Sequence, residues 1–138
     1  MRIVVLEDEP LYRDLLVRGL NALPEVDVVG AYGDGPALLL DLQNTRPDAA
    51  VLDLVLQPGA STIDSKSGVQ VGLALRDIFP GTGIVLLSNH ADPRVLTRIP
   101  AREHDGWAYL LKRSTTDLST LEKALHAVVD GNTMVDPE

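Results

Sequence analysis

The stretch that most constrains this chain is Ala49–Ala50–Val51–Leu52–Asp53, an apolar run closed by a carboxylate. Helical patterns and turn residues flank it, so it reads as a buried parallel strand. Three other runs end the same way. Ile3–Val4–Val5–Leu6 leads into Glu7–Asp8–Glu9, Ile84–Val85–Leu86–Leu87 into Ser88–Asn89, and Trp107 to Leu111 into Lys112. In open α/β sheets, ligands bind in the crevice outside the carboxyl ends of the strands. Four polar strand ends therefore predict one site around Asp53.

The segments between these runs are helical. Pro10 suits the first turn of a helix carrying Leu11, Leu15, Leu16, Leu20 and Leu23, which Pro24 stops. Val26 to Ala31 is less apolar and reads as an edge strand. A turn at Gly33–Asp34–Gly35–Pro36 precedes a helix from Ala37 to Thr45. Residues 57–67, with Pro58 and Gly59, read as a mobile loop. Gly68 to Phe79 is helical, with Val69, Leu73 and Ile78 inward. Asp92–Pro93 looks like the cap and first turn of a further helix reaching about Ala101. Ser114 or Thr116 caps a last helix that shows Leu118, Leu121, Leu125 and Val128 on one face, and Gly131 ends it. Trp107 is expected to pack near the surface. Strands and helices alternate five times, which implies a doubly wound α/β fold with a parallel sheet and right-handed crossovers.

A length of 138 residues suits one domain with a normal core, taken here as residues 1–131, with 132–138 as the start of a linker. The formal net charge of -8 argues against this chain gripping nucleic acid or anionic membrane directly. There is no cysteine, hence no disulfide, thiolate metal site or cysteine nucleophile. Ile3 to Leu6 is too short for a signal peptide core or a membrane span, so the expected compartment is the cytoplasm. His90, His104 and His126 lack metal-ligand spacing and read as structural or solvated.

If the first and third strands are neighbours, Glu7, Asp8 and Asp53 converge. Like charges that close require a proton or a cation. An all-oxygen acidic cluster suits Mg²⁺, which takes few carboxylates together with water and phosphate. Asp53 then has the chemistry to attack a phosphoryl group. Lys112 offers a point charge to a phosphoryl oxygen, and Ser88 a hydroxyl donor.

These residues resemble the receiver domain of bacterial two-component response regulators. The likeness rests on Val5–Leu6–Glu7–Asp8–Glu9–Pro10–Leu11, Pro47–Asp48–Ala49–Ala50–Val51–Leu52–Asp53, Val85–Leu86–Leu87–Ser88 and Tyr109–Leu110–Leu111–Lys112, and covers nearly the whole chain. Gly30–Ala31, Gly33–Asp34–Gly35 and the ending Gly131–Asn132–Thr133 are similar to the subfamily with a C-terminal helix-turn-helix output domain. The resemblance implies a flavodoxin-like, five-stranded parallel sheet of order 2-1-3-4-5. It implies Asp53 as phosphoacceptor, Asp8 as direct Mg²⁺ ligand, Glu7 as its acidic partner and Val55 as donor of a backbone carbonyl to the metal. Ser88 matches the switch hydroxyl, Tyr109 the aromatic that changes exposure with it, and Lys112 the lysine of the family pattern. A sensor histidine kinase is the implied phosphodonor, transcription the implied output, and homodimerisation an implied response.

Three features depart from that pattern. The loop between Asp53 and Gly68 is about half a dozen residues longer than usual, with Pro58 displaced by one. Asn89 stands where a small residue is usual, and Arg113 where many relatives have proline. The long loop and Asn89 favour an alternative, a phosphorylation-independent interaction module. A hydrolase with an aspartyl nucleophile needs a second acid two residues on, where this chain has Val55. A flavin carrier would need a Gly/Ser/Thr-rich loop after the first strand, and none is present.

Overall fold

Each apolar run becomes a strand of one parallel sheet. A computed structural model describes residues 1–54, 68–89, 99 and 105–136. Its elements are β1 (Arg2–Leu6), α1 (Pro10–Asn21), β2 (Asp27–Tyr32), α2 (Gly35–Leu40), α3 (Leu42–Thr45), β3 (Ala49–Asp53), α4 (Gly68–Ile78), β4 (Gly83–Ser88), β5 (Trp107–Leu111), a 3₁₀ turn (Lys112–Thr116), α5 (Leu118–Val129) and β6 (Met134–Val135). The strand order is β2-β1-β3-β4-β5-β6, with every pairing parallel. The helix expected from Pro93, residues 57–67 and Val55 lie outside the described residues.

The expected order 2-1-3-4-5 holds, but among the described residues the sheet has six strands rather than five. The addition falls in the segment expected to begin a linker. Met134 and Val135 pair with Ala108 and Tyr109. Asp136 fastens the pairing. Its N–H donates to the Tyr109 carbonyl at 2.8 Å, and its carboxylate accepts from the Leu111 N–H at 3.0 Å. Two strand residues carry too little pattern to be read as a strand; this one is held by its neighbour.

The pleat sends alternate side chains to opposite faces. Val4, Leu6, Ala50, Leu52, Ile84, Leu86, Trp107 and Tyr109 build one core with Leu38, Leu42, Val69, Val71 and Leu75. Ile3, Val5, Ala49, Val51, Val85, Leu87, Ala108 and Leu110 build the other with Leu16 and Leu20 of α1 and Leu121, Ala124, Leu125 and Val128 of α5. Both faces of the central strands are thus dry, which explains their unbroken apolar runs.

Several local expectations need correction. The helix expected over 37–45 begins at Gly35 and breaks at Asp41. That side chain accepts from the Tyr32 hydroxyl at 2.6 Å and from the Asn44 amide at 2.8 Å. Leu11 and Leu15 are 67% and 58% exposed, so α1 turns only part of its leucine set inward. Ile78 also faces out, while Val71 and Leu75 take the inward positions on α4. Trp107 is buried rather than superficial, because Gly72 leaves room for its ring. A Cβ on Gly72 would stand 2.7 Å from that ring. Asp117, not Ser114 or Thr116, caps α5.

Candidate functional site

The sheet register assembles the site. Leu6 pairs with Leu52, so Glu7 and Asp53 emerge side by side. Asp53 pairs with Leu87 and Ser88 with Leu111, so Ser88 and Lys112 reach the same edge from the other side. Parity then sorts the side chains. Asp53 follows Val51, Glu7 follows Val5 and Lys112 follows Leu110, all on the face covered by α1 and α5. Ser88 follows Leu86, and Tyr109 lies buried among the residues of the opposite face.

The three acids between β1 and α1 have separate work. Glu9 caps α1, accepting from the Tyr12 N–H at 2.6 Å. That leaves Glu7 and Asp8 for the pocket. The Glu7 carbonyl accepts from the Arg13 guanidinium at 2.8 Å, which holds the turn in place. Glu7, Asp8 and Asp53 each offer a carboxylate oxygen within 4.8 Å of the others. Glu7 is 1% exposed and Asp53 5%. Lys112 places its Nζ 3.1 Å from Glu7 Oε2 and 3.5 Å from Asp53 Oδ1.

One ammonium faces three carboxyl groups, and the electrostatics follow. Burial, then the neighbouring Glu7 charge, pushes the Asp53 carboxyl up to about 7 against the pull of Lys112, and its hydrogen bond with Asp8 adds to the rise. Burial pulls the Lys112 ammonium down, but the Glu7 hydrogen bond and the Asp53 charge outweigh it and leave the group raised. Lys112 is therefore charged at neutral pH. The donor set is all oxygen and compact, which suits a hard divalent cation such as Mg²⁺.

Three contributors escape a reading of the sequence. The Gly68 N–H donates to the Leu54 carbonyl at 2.9 Å, and a Cβ at Gly68 would collide with the Asp53 carbonyl. Tyr12 and Thr115 flank Lys112 and hydrogen-bond each other at 2.9 Å. None belongs to a motif. The one available signal is that Tyr12 sits in the first turn of the helix that follows the acidic run.

Glu7, Asp8, Asp53 and Lys112 are thus brought together as the sequence predicts. Ser88 reaches the same edge, and Tyr109 lies beneath it. Val55 falls outside the described residues. Of the histidines, His126 lies apart and pairs with Glu25 at 3.1 Å, while His90 and His104 are outside the described residues. No helix among the described residues is long and apolar enough to cross a membrane.

No family model matches the chain. Among curated proteins it is 34% identical, over 137 residues, to the probable transcriptional regulatory protein NarL of Mycobacterium tuberculosis, covering 99% of this chain and 58% of that protein. It is 27% identical over 138 residues to the oxygen regulatory protein NreC of Staphylococcus carnosus, covering 59% of it. The chain thus spans little more than half of these relatives. Among solved structures, the signal receiver domain of the putative response regulator NarL from Mycobacterium tuberculosis superposes with a TM-score of 0.68 at 30% identity, covering 89% of this chain and 94% of that one. The non-phosphorylated receiver domain of RcsB from Escherichia coli superposes at 0.80, covering 100% and 98%, with 24% identity that speaks for the fold alone. Its sheet order, its acidic strand-end cluster and this likeness together make the chain a member of the response regulator receiver domains of two-component systems.

Proposed function

We propose that this domain is a signalling switch that accepts a phosphoryl group on Asp53, from a sensor histidine kinase, with Mg²⁺ as cofactor. The observation that carries the reading is the convergence of Glu7, Asp8 and Asp53 within 4.8 Å, opposite the Lys112 ammonium. Glu7, Asp8 and Asp53 are the residues that would hold the cation, with the Val55 carbonyl as a further ligand. When bound, Mg²⁺ supplies positive charge to the phosphoryl oxygens.

The chain's own groups account for the rest. An Asp53 carboxylate oxygen attacks phosphorus, and the donor's bond to phosphorus breaks with its electron pair leaving on the donor. Lys112, held by Glu7, neutralises a phosphoryl oxygen. Ser88 donates to another oxygen once the group is attached, and Tyr109 follows that rearrangement. Water later attacks phosphorus, releases inorganic phosphate and returns the carboxylate. The added charge biases a two-state surface. Because the relative NarL is a probable transcriptional regulatory protein of which this chain spans 58%, the output is assigned to transcription, through self-association or an adjoining domain.

The test is incubation with Mg²⁺ and a small phosphodonor, read by intact mass. Wild type gains one phosphoryl mass, and neither a chelated sample nor Asp53→Asn does. Equal labelling of Asp53→Asn overturns the assignment. No labelling of wild type favours the phosphorylation-independent module.

A further inference from the structure

We infer that Tyr12 is a positioning residue for Lys112, clamping its ammonium over the acidic pocket through a closed ring of contacts with Thr115. This rests on the phosphotransfer reading above, and it concerns residues outside the acidic cluster.

The ring can be traced atom by atom. The Lys112 Nζ stands 4.9 Å from the centroid of the Tyr12 ring. The Tyr12 hydroxyl lies 2.9 Å from Thr115 Oγ1. Thr115 Oγ1 in turn donates to the Lys112 carbonyl at 2.7 Å. A threonine hydroxyl has one proton, and that donation uses it. Tyr12 must therefore be the donor to Thr115. Both ends of Lys112 are thus tied to the same pair of residues, its backbone through Thr115 and its head through the aromatic face.

This matters because a lysine side chain is long and flexible. Left free, it spends part of its time in rotamers pointing to solvent. Glu7 at 3.1 Å and Asp53 at 3.5 Å draw the Lys112 head into the pocket. A half-buried aromatic face beneath the ammonium favours the one direction that keeps Nζ between both carboxylates. Tyr12 leaves from the turn after the acids, and Thr115 from the 3₁₀ turn after β5. The clamp therefore also ties the first turn of α1 to the 3₁₀ turn after β5.

Two variants separate the ring from the hydroxyl. Tyr12→Leu removes both, and Tyr12→Phe keeps the ring. The first readout needs no phosphorylation. The chain has three lysines, Lys66, Lys112 and Lys123, so the Lys112 ε-methylene protons can be assigned by NMR. They are expected upfield of the other two in wild type and Tyr12→Phe, and with the others in Tyr12→Leu. The second readout is the phosphorylation rate with Mg²⁺ and a small phosphodonor. Tyr12→Leu is expected to slow it about three- to tenfold, with Tyr12→Phe restoring most of the loss. The Tyr12→Phe, Thr115→Val double variant should be no slower than Thr115→Val alone, because both remove the same link. Unshifted Lys112 protons in folded wild type, or a Tyr12→Leu rate equal to wild type, overturn the clamp. If wild type takes no phosphoryl group at all, the phosphotransfer reading fails while the NMR result still decides the clamp.

Discussion

Replacing Asp53 with asparagine should stabilise this domain, with a pH dependence set by the site. Asp53 is buried beside Glu7 and Asp8, and its carboxyl is held near 7 instead of the ordinary aspartate value of 3.8. The sign follows from linkage. Above 3.8 the unfolded chain has given up the Asp53 proton while the folded chain keeps it, so the folded state loses stability as pH rises from about 4 to 7. Above about 7 both states are ionised and the loss is complete. At the slope set by one proton per pH decade, the ceiling is ~4 kcal/mol at pH 8 and ~2 kcal/mol at pH 5. Relaxation and water entry reduce this, so Asp53→Asn should gain about 2–4 kcal/mol at pH 8 and about 1 kcal/mol at pH 5. For a domain of this size the pH 8 gain is worth roughly 6–12 °C in Tm. The assay is denaturation in chelator, followed by the fluorescence of Trp107, the only tryptophan and a buried one. A gain of equal size at both pH values, or none at pH 8, would refute the electrostatic argument.

Other consequences are smaller in scope. Mg²⁺ affinity should fall as pH drops below about 7, because protons compete with the cation for Asp53; a calorimetric titration at pH 6 and pH 8 measures it. Lys112→Met should move the Asp53 carboxyl further up, since the ammonium is what pulls it down; ¹³C NMR of the carboxyl carbon reads the direction. Gly68→Ala forces a Cβ against the Asp53 carbonyl and should cost about 1–3 kcal/mol in chemical denaturation. Asp136→Ala removes the side-chain acceptor of the Leu111 N–H, costs about 1 kcal/mol and should speed hydrogen exchange of that amide.

The legible parts of this protein are its continuous apolar runs. Buried parallel strands announce themselves as continuous apolar runs, and their last residues point to the site. Glu7, Asp8, Asp53 and Lys112 could be found because each ends such a run. What escaped depended on contacts between distant segments. The break at Asp41 lies within an unbroken leucine pattern, and it is the Tyr32 hydroxyl that holds Asp41. Trp107 goes inward because Gly72, on another element, makes room for its ring. Strand β6 is two residues long and depends on Asp136 reaching Leu111. On α1 the leucines spread over too much of the circumference for sequence to separate Leu16 and Leu20, which face in, from Leu11 and Leu15, which face out. Tyr12 and Thr115 were invisible for the same reason: their meaning lies in a contact across 103 positions.

Locating the phosphoryl group on the chain decides whether Asp53 is the phosphoacceptor. Protein treated with a small phosphodonor and Mg²⁺ is reduced with borohydride, which converts an acyl phosphate to an alcohol, and its peptides are sequenced by mass. Homoserine is expected at position 53, with Glu7 and Asp8 unmodified. A reduced residue at Glu7 or Asp8, with Asp53 intact, would contradict that assignment.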